Sequence, residues 1–205
     1  MGILTNFIVF EGIDGSGTST QIDLLKKKLA GRETENRFVF TCEPTGEATG
    51  RFLRTILSGE EAAEPETAAF LFAADRWEHL YGKNSVVKAL NAGKTVISDR
   101  YFFSSLAYQS AACGRELPKL LNSLFPLPEK LFFFDIDPAL SLARIAGRSV
   151  TEIYEKRDFL EKTAAEYRLV IAEYEQAAPG MKIIRLDAAQ SMEQVSRLIW
   201  EEIGA

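Results

Sequence analysis

The sequence predicts an α/β protein in which helices flank a five-stranded, mainly parallel sheet. Three observations predict it. Short β-branched or aromatic runs alternate with segments of helical pattern, as in a series of βαβ units. Leu131-Phe-Phe-Phe134 is the continuous apolar run expected of a strand covered on both faces. A chain of 205 residues, 46% apolar, is long enough for one α/β domain with a substantial core.

The predicted strands, in order, are residues 6–10, 38–41, 95–98, 131–134 and 182–185, each short and rich in Val, Ile, Phe or Thr. Helical patterns lie between and after them, near residues 19–30, 50–57, 67–92, 104–109, 138–145, 158–177 and 191–203. Residues 60–66 read as an acidic, solvated connection. The polar and β-branched stretch 147–155 interrupts two helices, which makes about 146–156 a candidate mobile lid. With no internal repeat, low-complexity tract or interdomain linker, residues 1–205 read as a single domain.

Composition excludes several classes. A net charge of −5 argues against a broad nucleic-acid-binding surface, although 24 Lys and Arg leave room for local cationic sites. Cys42 and Cys113 lack C-x-x-C spacing and nearby histidines, so they read as buried thiols in a reducing cytosol rather than a disulfide or zinc site. Phe7-Ile-Val-Phe10 is too short for a secretory signal and runs into Glu11 and Asp14. Met1-Gly2 has Asn6 where myristoylation requires Ser or Thr. No apolar run approaches the ~20 residues of a membrane helix, so the chain reads as soluble and cytoplasmic.

The most informative segment is Phe10-Glu-Gly-Ile-Asp-Gly-Ser-Gly-Thr-Ser-Thr-Gln21. Gly12-x-x-x-x-Gly17-x-Ser19 has the spacing of G-x-x-x-x-G-K-[ST], with Thr18 in place of the lysine. The predicted strand before it and helix after it supply the context such a loop requires. Gly12, Gly15 and Gly17 let the backbone approach an anion, and Ser16, Thr18 and Thr20 complete the phosphate cradle. Ser19 is placed to offer its hydroxyl to Mg²⁺. The expected architecture is therefore a three-layer fold of the P-loop NTPase type. The plain alternative for this segment alone is a glycine-rich turn with no ligand.

Three other segments bear on that choice. In residues 96–109, Asp99 and Arg100 fall at the carboxyl end of a strand, where open α/β sheets bind ligands. Asp99 could hold the metal directly or through water, and Arg100 could bind a phosphate bidentately; a structural Asp–Arg pair is the alternative. In residues 70–79, Phe72 and Arg76 stand one helical turn apart, so they could stack on a base and donate to its edge. Alone they read as core and surface charge. His79, the one histidine, lacks a nucleophile-and-base arrangement and reads as structural. Pro44, in Thr41-Cys-Glu-Pro-Thr45, would fix a rigid turn walling a pocket.

Together these segments resemble the thymidylate kinase family over nearly the whole chain. Asp-Arg-Tyr-x-x-Ser-Ser-x-Ala-Tyr-Gln is the most specific block, joined by Phe-x-Ala-x-Arg-Trp, Glu-Pro-Thr and Thr151-Glu-Ile-Tyr-Glu155. The resemblance implies transfer of the γ-phosphoryl of ATP to dTMP, giving dTDP for dTTP synthesis, with Mg²⁺ at Ser19 and Asp99. It implies that Asp14 accepts from the sugar 3′-OH, Phe72 stacks on thymine and Arg76 donates to O4. Arg100 then clamps the monophosphate, Pro44, Ser105, Tyr108 and Gln109 surround base and sugar, and Tyr154 occupies the space of a 2′-OH. It also implies a homodimer formed through helices beside the sheet.

Two positions depart from the family pattern, and both remove positive charge. Thr18 replaces the loop lysine, and Cys42 replaces the arginine usual before Glu-Pro. Gly15 stands where some members carry an arginine; members without it usually place arginines in the lid. Arg148, with Arg144 second, is the expected substitute cation on the ATP phosphates, Arg148 being the catalytic choice. A catalytically weak nucleotide-binding homologue, or a kinase for another deoxynucleoside monophosphate, are the alternative readings. No N-K-x-D segment supports a GTPase.

Overall fold

The computed structural model describes residues 2–146, 154, 156–178 and 180–204. Its sheet contains β1 (Ile3–Gly12), β2 (Phe38–Cys42), β3 (Thr95–Asp99), β4 (Leu127–Asp135) and β5 (Lys182–Asp187). Their spatial order is β2-β3-β1-β4-β5, and each neighbouring pair is parallel. All five predicted strands lie within these elements. The chain passes from central β1 to edge β2 and back to β3 before crossing to β4. This makes the carboxyl ends of β1 and β3 a topological switch point, the position at which such sheets bind ligands.

The central strands are buried for the reason their composition predicts. Residues 7–12 of β1 and 131–134 of β4 are buried throughout, and the Phe10 ring lies 5.0 Å from Phe132 and 5.5 Å from Phe134. Register places Phe10 opposite Asp99, and Asp99 opposite Cys42, so three strand ends finish together beneath the site.

Nine α-helices are assigned among the described residues: α1 (Thr18–Leu29), α2 (Ala48–Leu57), α3 (Pro65–Tyr81), α4 (Val86–Asn91), α5 (Phe102–Cys113), α6 (Glu116–Asn122), α7 (Pro138–Ile145), α8 (Arg157–Ala177) and α9 (Met192–Ile203). The helix expected over 67–92 is two helices. Its continuation fails at Gly82, whose backbone leaves the helix (ψ −163°) in a turn with no room for a Cβ, which would lie 2.5 Å from the Glu78 carbonyl, and Ser85 caps the new start by accepting from Lys88 N. The acidic connection ends earlier than expected because α3 begins at Pro65, a residue suited to a first turn. Helix α6 was absent from the sequence reading, since Gly114 and Pro118 resemble loop signals. Pro118 falls in its first turn, where a missing N–H costs no helical bond. The cysteine expectation also needs correction: both thiols are free, but Cys42 is exposed at the end of an edge strand and Cys113 is only partly buried.

Candidate active site

The chain leaves β1 at Gly12 and turns under α7 before entering α1. Ser16 N donates to the Ile13 carbonyl at 3.0 Å, and the Ser141 hydroxyl donates to the Asp14 carbonyl. Gly15 has φ of 79°, and a Cβ there would meet the Ser141 carbonyl at 2.7 Å. An arginine at this position would therefore require both a strained backbone and a displaced α7. Gly17, at φ 100°, turns the chain into α1, whose first residues are Thr18, buried, and Ser19, exposed.

Across the switch point, Ser19 Oγ donates to Asp99 Oδ2 at 2.6 Å, while Asp99 Oδ1 is buried with no hydrogen-bond partner among the described residues. A buried carboxylate oxygen left unpaired beside a hydroxyl suits a hard cation that takes few protein ligands. Arg100 follows with φ 73°, a left-handed conformation uncommon for a side-chain-bearing residue. Its backbone N–H donates to the Phe10 carbonyl at 2.9 Å. Its guanidinium donates to the Gly12 carbonyl (3.0 Å), Ser104 Oγ (3.1 Å), Tyr167 Oη (3.3 Å) and Asp14 Oδ1 (2.5 Å). Asp14 Oδ2 accepts from the Tyr108 hydroxyl at 2.9 Å.

Sequence reasoning missed the residue beneath this cluster. Glu11 is fully buried and accepts from the backbone N–H groups of Tyr101 (2.7 Å) and Ser104 (3.2 Å), from Ser104 Oγ (2.7 Å) and from Tyr167 Oη (2.8 Å). Burial pushes its carboxyl from the usual 4.5 up to about 7, although Arg100 and the hydrogen bonds from the Ser104 and Tyr167 hydroxyls and the Tyr101 N–H oppose that shift. An acid immediately before the glycine loop was a visible signal; its partner Tyr167, on α8, was not.

On the other wall, Arg76 is 1% exposed, with Nε on Glu43 (2.9 Å), Nη1 on Asn122 (2.5 Å) and Nη2 on Ser105 Oγ (3.1 Å). Glu43 also meets His79 Nδ1 at 2.9 Å, and His79 Nε2 meets Thr41 Oγ1 at 2.7 Å. The turn at Pro44, entered through a cis peptide, is pinned by Asp75, which accepts from Thr45 N (2.8 Å), Thr45 Oγ1 (2.6 Å) and Thr49 Oγ1 (2.7 Å). Gln109 is buried, and its Oε1 has no partner among the described residues. The ring of Tyr154 stacks on Phe159 at 4.9 Å and lies 5.6 Å from Tyr108.

These walls enclose a cavity of about 320 Å³. Asp14, Gly15, Gly17, Thr18, Ser19 and Thr20 form its floor, with Asp99 and Arg100 beside them. Pro44, Phe72, Arg76, Ser105, Tyr108, Gln109 and Tyr154 are among its other lining residues. Gly12 is not part of the lining but holds Arg100 through its carbonyl. A second cavity of about 250 Å³ opens on the other side of the loop, bounded by Gly15, Ser16, Gly17, Thr20, Gln21 and Arg144, among others. Arg144 is exposed and donates to the Ala188 carbonyl at 2.9 Å; it is absent from the lining of the first cavity. Arg148 and most of the expected lid, Ala146, Tyr154 and Lys156 excepted, lie outside the described residues.

A glycine loop between strand and helix, with a carboxylate and an arginine at the neighbouring strand end, defines a P-loop phosphotransferase site. The particular family follows from comparison: the chain belongs to the thymidylate kinases, whose family model matches residues 10–199. It is 42% identical over 200 residues to a Treponema pallidum protein assigned as a thymidylate kinase, covering 97% of this chain and 95% of that one. It is 39% identical over 198 residues to one so assigned in Pyrobaculum aerophilum, covering 96% and 95%. Among solved structures, the thymidylate kinase of Candida albicans superposes with a TM-score of 0.76 at 26% identity, covering 97% of this chain and 90% of that one. The Ehrlichia chaffeensis enzyme gives 0.72 at 25%, covering 97% and 98%. Among the described residues, no helix is long and apolar enough to cross a membrane.

Proposed function

We propose that this nucleoside monophosphate kinase transfers the γ-phosphoryl of ATP to dTMP, giving dTDP for dTTP synthesis. The observation that carries this reading is a single cavity joining the phosphate loop to Phe72, Arg76 and Gln109. Thymine presents O4 as an acceptor and N3–H as a donor. Arg76 can only donate, and the unpaired Gln109 Oε1 can only accept, so both match thymine in this arrangement. Cytosine, with an amino group at position 4 and a bare N3, opposes both. Phe72 stacks on the base, with Pro44 and Ser105 walling it. Tyr154 fills the space a ribose 2′-OH would need.

Asp14 is the acceptor for the 3′-OH, oriented by Arg100 and Tyr108. Arg100 clamps the acceptor phosphate, with most of its donors already aimed by the surrounding carbonyl and hydroxyls. This is positioning of the kind phosphoryl transfer depends on. Backbone N–H groups of the loop, from Gly12 to Thr20, cradle the donor phosphates. Arg144 lies on the donor side, and Arg148, carried by the lid at about 146–156, is the catalytic cation in place of the lysine. Ser19 and Asp99 would hold Mg²⁺, directly or through water, and the ion would neutralise phosphate charge there.

The same reading takes residues 1–205 as one domain acting in the cytoplasm, with dTMP and ATP rather than nucleic acid or membrane as partners. It takes the active form as a homodimer. Phe70, Trp77 and Tyr81 on α3, with Leu120 on α6 and Leu124, remain exposed, and Trp77 packs 4.8 Å from Tyr81 and 6.3 Å from Phe125. An apolar surface of that kind supports a partner copy. The test is ADP formation with dTMP, dUMP, dCMP and dGMP. We expect dTMP to lead and dCMP to be poorest among the pyrimidines; ATP binding without turnover of any of them would overturn the reading.

A further inference from the structure

Arg100 is held from behind by a residue that does not reach the cavity. At the end of β1, the Phe10 carbonyl takes the Arg100 backbone N–H and the Gly12 carbonyl takes its guanidinium. Glu11, between them, acts on both the backbone and the side chain. Its Oε1 accepts from Tyr101 N (2.7 Å) and Ser104 N (3.2 Å) at the start of α5, where the N-cap Tyr101 supplies no side-chain cap of its own. A carboxylate from a neighbouring strand thus caps α5 and fixes the turn in which Arg100 sits at φ 73°.

Its Oε2 accepts from the hydroxyls of Ser104 (2.7 Å) and Tyr167 (2.8 Å). The same two hydroxyl oxygens receive Arg100 Nη1, at 3.1 and 3.3 Å. Each hydroxyl has one proton, and a carboxylate can only accept. The two hydroxyl oxygens also lie 2.8 Å apart, but the carboxylate is the stronger acceptor and takes both protons. Their lone pairs are then left facing the guanidinium. Arg100 and Ser104 line the larger cavity, whereas Glu11 and Tyr167 do not. We propose that Glu11 is a positioning residue for the acceptor phosphate, setting the backbone turn of Arg100 and, through Ser104 and Tyr167, the direction of its guanidinium. The inference rests on the reading of Arg100 as the clamp on that phosphate.

The test is calorimetric titration with dTMP and with thymidine, at about pH 8, where the Glu11 carboxyl, raised to about 7, is ionised. The proteins are the wild type, Glu11→Gln, Tyr167→Phe, Arg100→Gln and the double variant Glu11→Gln/Arg100→Gln. The glutamine can still cap α5 through its carbonyl, but its amide donates to the hydroxyls and turns their protons toward Arg100. We expect Glu11→Gln to weaken dTMP about tenfold or more and Tyr167→Phe to weaken it by less. Thymidine, which has no phosphate, should bind these two variants and the wild type alike. Once Arg100 is replaced, Glu11→Gln should weaken dTMP no further. Equal losses for dTMP and thymidine, or a loss undiminished in the Arg100→Gln background, would mean that Glu11 only caps α5. No change in either single variant would mean that Arg100 is oriented without it. Each of these outcomes overturns the inference while leaving the acceptor reading standing. Tyr167→Phe leaves the cap intact, so it decides the question even if Glu11→Gln fails to fold. Arg100→Gln protein that binds dTMP as tightly as the wild type would instead overturn the clamp reading, and this inference with it.

Discussion

The two cavities that share the glycine loop are built on different principles. In the larger, acceptor cavity, Arg76 and Arg100 are held by three and four acceptors, the pair with Glu43 buried and the pair with Asp14 partly so. On the donor side, the one described cation lining the cavity is Arg144, exposed and tied by a single carbonyl bond, and the loop offers a neutral threonine where a lysine is usual. Recognition of the acceptor is thus organised before substrate arrives, whereas the donor phosphates depend on backbone N–H groups and on charge supplied from elsewhere. A fixed acceptor site can select its base with no help from the lid, which adds only Tyr154 against the sugar; a donor site poor in fixed charge cannot turn over quickly without one.

Mutations can break this contrast. Arg76→Gln leaves Glu43 buried without its main cation, which should cost about 3–5 kcal/mol of stability in chemical denaturation. Arg144→Ala, its donor-side counterpart, should cost no more than about 1 kcal/mol. Comparable losses would mean that the two sides are equally preorganised. Glu11 gives a pH signature to the acceptor side alone. Burial raises its carboxyl from 4.5 to about 7, so the folded protein holds this proton where the unfolded chain has lost it. The resulting stability is fully present below pH 4.5 and is lost as pH rises through 7, a change of about 3 kcal/mol. Glu11→Gln, which keeps the shape and can donate to Ser104 and Tyr167, should remove that part of the pH dependence. Identical profiles for the two proteins would show that Glu11 does not titrate here. The lid is tested by rate rather than stability: Arg148→Ala should lower kcat about tenfold or more with the KM for dTMP unchanged. A kcat within a few-fold of the parent would remove Arg148 from the donor phosphates.

Much of this contrast was legible in the sequence. All five strands followed from short apolar runs, the loop from its glycine spacing, and the position of Asp99 and Arg100 from the end of a predicted strand. What could not be read was anything depending on distant partners. The place of Glu11 just before the glycine loop is visible locally, but its burial and its role are not until Tyr167, 156 residues away, is brought against it. Arg54, on α2, carries no local signal of its place on the cavity wall beside Cys42, which depends on how α2 returns over the β2 end. The break at Gly82 was missed because helical periodicity continues on both sides of it, whereas the break lies in the backbone of one glycine, which turns extended there.

Thr18→Lys tests the central contrast most directly. With ATP and dTMP varied separately, the ammonium should raise kcat/KM for ATP at least tenfold and leave the KM for dTMP within about twofold, since only the donor side lacks fixed charge. A fall in kcat/KM for ATP would contradict the account, showing that the loop is built around threonine and that its phosphate site is already complete.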